Sequence, residues 1–274
     1  MSADVQVRLV VYIHTAETSL WRTAALMSLA YMISELILGT ISLLATMSGS
    51  PETMVAAPSA FLVPEKQVLA SHEMDLTKRL PNPDASQVFA DNILLTLRYL
   101  KGDVGELRDE KVKIDWEKVR EPFEASLTLE PGEVFAYHDV LLPEFQNAKV
   151  KTTNAHFDYK QGYKPFAGLI GNGVCHLATL INWVATDARL AGDPLRREAS
   201  GESKRTGLEV ISHVNHDFYP VPGVPRENGT SIRWNPTGGN NSRNQNLYIR
   251  NNFDYPVTFE FKADSRVVVL KIVK

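Results

Sequence analysis

The chain has 274 residues, of which 44% are hydrophobic and 22% are charged, and its formal net charge at neutral pH is -3. This composition is typical of a globular protein, and it excludes a disordered chain, a collagen-like repeat and a strongly basic nucleic-acid-binding protein. The single cysteine, Cys175, excludes an intrachain disulfide and a zinc site built from four cysteines. The length is sufficient for one large domain or two small ones.

Residues 23–47 form an apolar run that contains a single charged residue. Because about 20 apolar residues in a helix span the hydrocarbon core of a bilayer, we predict a transmembrane or signal-anchor helix here. Arg8 and Arg22 precede the run, and no basic residue follows it before Lys66. The positive-inside rule then places residues 1–22 in the cytoplasm and the C-terminal bulk outside the membrane. A cleaved signal peptide with secretion, and a helix buried in an intracellular protein, are the alternatives.

The next segments predict a linker and then a helical region. Residues 48–82 contain many small residues and prolines with little periodicity, which indicates a linker. Residues 83–122 are predicted as a helical lead-in, in which 86–100 form an amphipathic helix and 101–120 a solvated charged surface. The apolar face of this helix comprises Phe89, Ile93, Leu97 and Leu100. Ser86 or Asp84 is the candidate N-cap, and Gly102 can end the helix.

Residues 123–274 are predicted as one domain dominated by short strands. β-Branched and aromatic residues between turn residues predict six strands, the last three forming an antiparallel hairpin or meander. A helix is predicted over 175–191, followed by an exposed loop. We therefore expect an α+β fold with mostly antiparallel β-sheet packed around one main helix that begins at the cysteine. The predicted strands are 123–129, 134–137, 150–153, 246–250, 257–261 and 267–273.

A glycine-rich turn leads directly into the helix that begins at Cys175. The first turn of a helix presents unpaired N–H groups and a partial positive charge, and both lower the pKa of a cysteine placed there. Cys175 is therefore a candidate nucleophile, and the alternative is a small cysteine packed in the core. The turn that would bind the substrate and an oxyanion comprises Gly171, Asn172, Gly173, Val174 and His176.

A cysteine nucleophile needs a proton acceptor. His213 and His216 lie in a turn-rich loop, and either is a candidate base because such partners are commonly distant in sequence and adjacent in the fold. Asp217 or Asn215 is a candidate for orienting the imidazole. His176 points about 100° away from its neighbour on a helix, so it is a candidate substrate contact instead. We predict no metal site and no cofactor. The chain's histidines are His14, His72, His138, His156, His176, His213 and His216.

Residues 171–179, GNGVCHLAT, resemble the signature of the VanW family, G-G-G-[IV]-C-Q-x-S-[ST]. The resemblance covers residues 126–260, and this chain departs from the signature at Asn172, His176 and Ala178, where the family has Gly, Gln and Ser. Four further motifs follow the family's order: LEPGEVF at 129–135, GY at 162–163, VPGVPRE at 221–227 after the two histidines, and NNFDYPV at 251–257.

This resemblance implies a bacterial cell-envelope protein, since some VanW-domain proteins are cysteine L,D-transpeptidases that cross-link peptidoglycan stem peptides. Cys175 would then form a thioester with a stem peptide, His213 or His216 would shuttle protons, and N–H groups of the turn would stabilise the oxyanion. The implied partners are peptidoglycan or a peptide substrate and the membrane, with no nucleic acid. The alternative is a non-catalytic envelope module, wall-associated or accessory to glycopeptide resistance, with a structural cysteine.

Overall fold

Two four-stranded sheets and two long helices are the main elements of the described part of the chain. The computed structural model describes residues 66–150, 152, 156–191, 207–216, 220–234 and 240–274, all within one unit, Pro64–Lys274. The content is mixed α and β and the sheets are mostly antiparallel, which confirms the predicted class at that level. The expected single main helix is replaced by two helices of 19 and 18 residues.

The first sheet has the strand order β1-β12-β11-β4. Strands β4 and β11 alternate between buried and more exposed residues, so one face of the sheet lies on the core. All three pairings in this sheet are antiparallel, including the predicted hairpin of β11 and β12. The strands are β1 (Val68–Asp75), β4 (Phe123–Leu129), β11 (Val257–Ala263) and β12 (Val267–Val273).

Strand β1 lies within residues 48–82, which the sequence analysis predicted to be a linker. It pairs with β12 along its whole length, from Val68 opposite Val273 to Asp75 opposite Val267. Its sequence carried little strand signal because only Met74 is fully buried, and its other inward positions include Ala70 and His72. Residues 48–65 and the predicted membrane helix over 23–47 lie outside the described residues. Within the described part of the chain, no helix is long and apolar enough to cross a membrane.

The second sheet has the order β6-β5-β10-β9. The predicted strands at 134–137 and 246–250 are present here, and the first ends one residue earlier than expected. The strand predicted at 150–153 overlaps β6 only at Val150, and its residues 151 and 153 lie outside the described residues. The predicted C-terminal meander is divided between the two sheets, because the turn after β10 carries the chain from one sheet to the other. Asn251 fixes this turn, since its Nδ2 donates to Leu129 O and Tyr255 O, each at 2.9 Å. The strands are β5 (Val134–Ala136), β6 (Lys149–Val150), β9 (Leu208–Ser212) and β10 (Leu247–Asn251).

Helix α1 (Pro83–Lys101) packs on β4. Ile93, Leu97 and Leu100 of its predicted apolar face lie in the core, whereas Phe89 is half-buried and contacts the His176 ring. Its N-cap is Asn82, which accepts from Ala85 N at 3.0 Å, rather than Ser86 or Asp84. Ser86 is instead hydrogen-bonded to both backbone groups of Leu80. The helix ends at Gly102, as predicted, in the left-handed conformation with φ of 82°.

The second long helix, α3 (Val174–Ala191), packs against β1 and β12 of the first sheet and β9 of the second. Several smaller elements complete the fold, and some of them lie within the stretch 101–120 that was predicted as solvated surface. They are the hairpin β2 (Glu106–Arg108) and β3 (Lys111–Lys113), α2 (Trp116–Arg120), the hairpin β7 (Pro165–Phe166) and β8 (Leu169–Ile170), and α4 (Asn240–Asn244).

A buried carboxylate joins α1 to two later segments. The Asp91 side chain is fully buried; Arg120 donates to both of its oxygens at 2.8 Å and Lys164 Nζ to one at 2.5 Å. Gln87 Nε2 adds a further hydrogen bond at 2.9 Å. Burial alone would raise the pKa of Asp91, but the hydrogen bonds from Arg120 and Lys164 outweigh it, so the pKa is lowered.

We expect Asp91→Asn to lower the free energy of unfolding at pH 7 by about 3 kcal/mol, the lower end of the range for breaking a buried ion pair. The lower end applies because Arg120 and Lys164 are themselves partly exposed. The stabilisation by Asp91 is present above the pKa of an unfolded aspartate, about 3.9, and is lost as the pH falls through the lower folded pKa. Denaturant unfolding at pH 7 and at acidic pH measures both effects.

The matched control is Glu124→Gln, which removes an exposed ion pair with Lys262. We expect no measurable loss of stability, because water screens such pairs. Equal stability of Asp91→Asn and the parent chain at pH 7 would show that the Asp91 network contributes nothing net.

Candidate functional site at the start of helix α3

The glycine turn before α3 is held against α1. Gly173 has φ of 104°, and a Cβ atom there would lie 2.5 Å from the carbonyl oxygen of Phe89. Asn92 Nδ2 donates to Asn172 O at 2.8 Å, and the buried Tyr137 hydroxyl donates to Val174 O at 3.0 Å. Glycine is therefore required at position 173 for both backbone conformation and close approach.

Cys175 lies in the first turn of α3, one residue after the helix begins. Its Sγ accepts a hydrogen bond from Ile232 N at 3.3 Å and donates to Ile232 O at 3.4 Å. Further along the same helix face, Thr179 Oγ1 accepts from Thr230 N at 2.9 Å and Asn182 Nδ2 donates to Thr230 Oγ1 at 2.9 Å. This face of α3 is thus fixed to the segment that carries Ile232.

The surroundings of the thiol change the expected acidity. Burial raises the pKa of Cys175, and the hydrogen bond from Ile232 N opposes this increase only in part. The helix start alone predicts the opposite direction. At neutral pH Cys175 is therefore a protonated thiol in this structure, and nucleophilic attack would require a base that removes the proton during the reaction.

His213 lies on a segment that is hydrogen-bonded to the segment that contacts the Cys175 sulfur. It is exposed and directly precedes Val214, whose carbonyl accepts a hydrogen bond from Ser231 N at 2.9 Å. Ser231 in turn directly precedes Ile232, the residue that contacts Cys175 Sγ. Among the described residues, both hydrogen bonds of the sulfur go to Ile232, so the thiol has no direct hydrogen bond to the His213 imidazole.

The ring of His216 lies near the ring of His176. The two rings have centroids 6.0 Å apart, and the His176 ring also contacts Phe89 at 5.0 Å. His176 is buried, and burial, followed by the charges of Arg79 and His216, lowers its pKa to about 3. The third predicted loop residue, Asp217, lies outside the described residues.

Two other polar groups in this structure could not be predicted from the sequence. Arg79, within the predicted linker, is buried with Nε and Nη1 unpartnered. His156 Nε2 contacts Asp139 Oδ2 at 3.1 Å, and Trp234 stacks on His156 at 4.0 Å while donating to Asp139 at 3.1 Å. Both groups join residues from separate loops and elements, for which the sequence has no spacing signal.

Arg79, Asn172 and His176 hold four of the five buried unpartnered side-chain atoms among the described residues, and the fifth is Ser242 Oγ in α4. They include Asn172 Oδ1 in the turn and His176 Nδ1 in the first turn of α3, besides the two Arg79 nitrogens. Buried polar atoms without a partner are uncommon, because each carries a desolvation penalty. Within the described residues, no group of three His, Cys, Asp or Glu side chains is arranged to hold a metal ion.

Alkylation of the thiol tests the raised pKa of Cys175 directly. Because the chain contains one cysteine, all labelling by iodoacetamide reports on this residue. We expect slow labelling at pH 7 and an apparent pKa above that of the same chain in denaturant, since burial disfavours the thiolate. Fast labelling at pH 7 with an apparent pKa below the denatured value would contradict the environment described here.

Comparison with known proteins does not assign a family to the chain. The sequence matches no family model, and neither the curated proteins nor the solved structures include a match. The resemblance of residues 126–260 to the VanW family therefore stays a prediction from the motifs, and the site is interpreted from its geometry.

Proposed function

We propose that this chain is a VanW-like acyltransferase of the bacterial cell envelope that acts on peptidoglycan stem peptides through Cys175. Residues 23–47 would serve as its membrane anchor or signal. The observation that carries the proposal is the position of Cys175 in the first turn of α3, beside a segment hydrogen-bonded to the one that bears His213. A thiol at a helix start with an imidazole on the adjacent segment is the arrangement that acyl transfer requires.

The raised pKa of Cys175 determines the type of mechanism. A resting thiolate–imidazolium pair is disfavoured, so the thiol attacks while His213 takes its proton as a general base. His213 is exposed on the segment hydrogen-bonded to Ser231. His216 is less suited to this role, since its ring lies against His176.

The proposed reaction has two halves. In the first, Cys175 Sγ bonds to a stem-peptide carbonyl carbon, His213 accepts the thiol proton, and unpaired N–H groups at the start of α3 stabilise the oxyanion. The peptide C–N bond then breaks, and the leaving amine takes the proton from His213, which leaves a thioester on Cys175. In the second half an amine of another stem peptide, or water, attacks the thioester and releases the thiol.

Trapping the thioester tests the proposal. The full-length chain is incubated with a disaccharide-tetrapeptide muropeptide, and intact-protein mass spectrometry should show a gain equal to the muropeptide minus its terminal amino acid. Cys175→Ala should abolish the adduct, and His213→Ala should slow its formation by about 100-fold or more, a typical loss for a general base.

Two further variants make this experiment specific. His72→Gln is the matched control, because His72 pairs with Asp187 at 2.6 Å and stacks on Trp183, away from the thiol contacts. His216→Gln separates the two candidate bases. An adduct that persists in Cys175→Ala would refute the nucleophile, and a loss in His216→Gln without a loss in His213→Ala would reassign the base.

The second candidate function is a non-catalytic envelope module that binds wall peptides. Two main-chain hydrogen bonds to Cys175 Sγ and its raised pKa favour it, because both are typical of a structural thiol. In that case Cys175→Ala would lower the thermal stability, no muropeptide would form an adduct with the parent chain, and muropeptide binding measured by calorimetry would survive the substitution.

A further inference from the structure

Arg79 is buried in a way that leaves most of its hydrogen-bonding capacity unused. Its side chain is 2% exposed, and its recorded hydrogen bond is from Nη2 to Pro222 O at 3.2 Å. Nε and Nη1 have no partner. Since a guanidinium carries one N–H on Nε and two on Nη1, three donors are unsatisfied. Asp75 acts on Arg79 through its charge. The Asp75 carboxylate already accepts hydrogen bonds from Thr77 N at 2.8 Å and from Thr77 Oγ1 at 2.6 Å.

Arg98 shows how the same protein satisfies a buried guanidinium. It is 4% exposed, and it donates to Asp103 Oδ2 at 2.9 Å, to Glu121 O at 3.0 Å and to Lys118 O. Its guanidinium also lies 3.8 Å over the Phe123 ring. The two arginines are buried to a similar extent. Burial alone therefore does not explain why Arg79 lacks acceptors when Arg98 has them.

A second unsatisfied group lies close to Arg79. His176 Nδ1 is buried without a partner, and its residue is 3% exposed. The Arg79 charge is the second largest influence on the lowered pKa of His176, after burial. The imidazole is therefore neutral, and the pair carries a single positive charge.

A surface depression lies beside the segment that carries Arg79. The depression of about 390 Å³ is lined by residues that flank Arg79 in the chain, among them Lys78 and Leu80, and by Pro222. Pro222 is also the residue whose carbonyl accepts from Arg79. Lys78 is exposed and places a second cation at the rim, which attracts anions from solution.

We propose that Arg79, together with His176, forms a binding site for a carboxylate group. A carboxylate offers two oxygens in the plane of a guanidinium, and it can accept a pair of hydrogen bonds from Nη2 and one of the two unpartnered nitrogens of Arg79. Its single negative charge balances the one buried positive charge. Phosphate carries close to two negative charges at neutral pH and would leave charge unpaired. The proposal goes beyond the acyl-transfer function, and it holds whether or not Cys175 is a nucleophile.

Thermal unfolding of the full-length chain tests this site with sodium acetate as the probe. Sodium chloride and sodium phosphate at equal ionic strength are the reference anions. We expect acetate to raise the Tm progressively relative to chloride, because a ligand that binds only the folded state stabilises it by mass action. Phosphate should give no comparable increase.

Two arginine variants form the matched comparison. Arg79→Met should abolish the acetate-dependent shift, and its Tm in chloride should be no lower than that of the parent chain, because an unpaired buried charge has been removed. Arg98→Met should lower the Tm in chloride but keep the shift with acetate. If Arg79→Met fails to fold, Arg79→Gln serves in its place, and it should also lose the shift.

Two outcomes would overturn the proposal. One is an acetate shift in the parent chain no larger than that with chloride, and the other is an acetate shift that persists in the Arg79 variant. A phosphate shift that replaces the acetate shift would overturn the assignment to carboxylates. Failure of this proposal is distinguishable from failure of the acyl-transfer proposal. The thioester experiment measures an adduct on Cys175, whereas the Tm series measures acetate binding that depends on Arg79.

Discussion

The close approach of the glycine turn to α1 is the constraint on which the site depends. Any side chain at Gly173 would overlap the Phe89 carbonyl oxygen, so the turn can pass α1 at this distance only without a Cβ atom. That contact, with the hydrogen bonds from Asn92 and Tyr137, sets where α3 begins. The start of α3 in turn determines the directions in which Cys175 and His176 point.

Two consecutive residues consequently face two different environments. Cys175 faces the backbone of Ile232, whereas His176 faces Phe89, His216 and the charge of Arg79. Desolvation dominates both, and it favours the uncharged form of each group: the pKa of Cys175 is raised and that of His176 is lowered to about 3. The side chains of Cys175 and His176 are thus both uncharged at neutral pH, and the charge that acts on His176 from its surroundings includes that of Arg79.

The elements with strong periodicity could be predicted from the sequence, and strand β1 could not. The alternation in β4 and β11 follows from burial on one face of the sheet, whereas α1 and α3 are buried on most sides and are marked by apolar residues at helical spacing. Strand β1 has one fully buried residue, and its partner β12 lies at the other end of the described chain. The glycine turn and Cys175 were identifiable because they are contiguous. The raised pKa of Cys175, the location of Arg79 and the separation of His213 from His216 depend on packing between distant segments.

The two kinds of buried charge in this protein differ in what they imply. Asp91 receives hydrogen bonds from Arg120, Lys164 and Gln87, so its burial is compensated within the fold and needs no ligand. Arg79 has no such compensation, and an unpaired buried charge costs several kcal/mol. That cost is a substantial share of the total stability of a domain, about 5–15 kcal/mol. A fold that retains it gains nothing in stability from the guanidinium, so the reason for Arg79 is to be sought in what it binds.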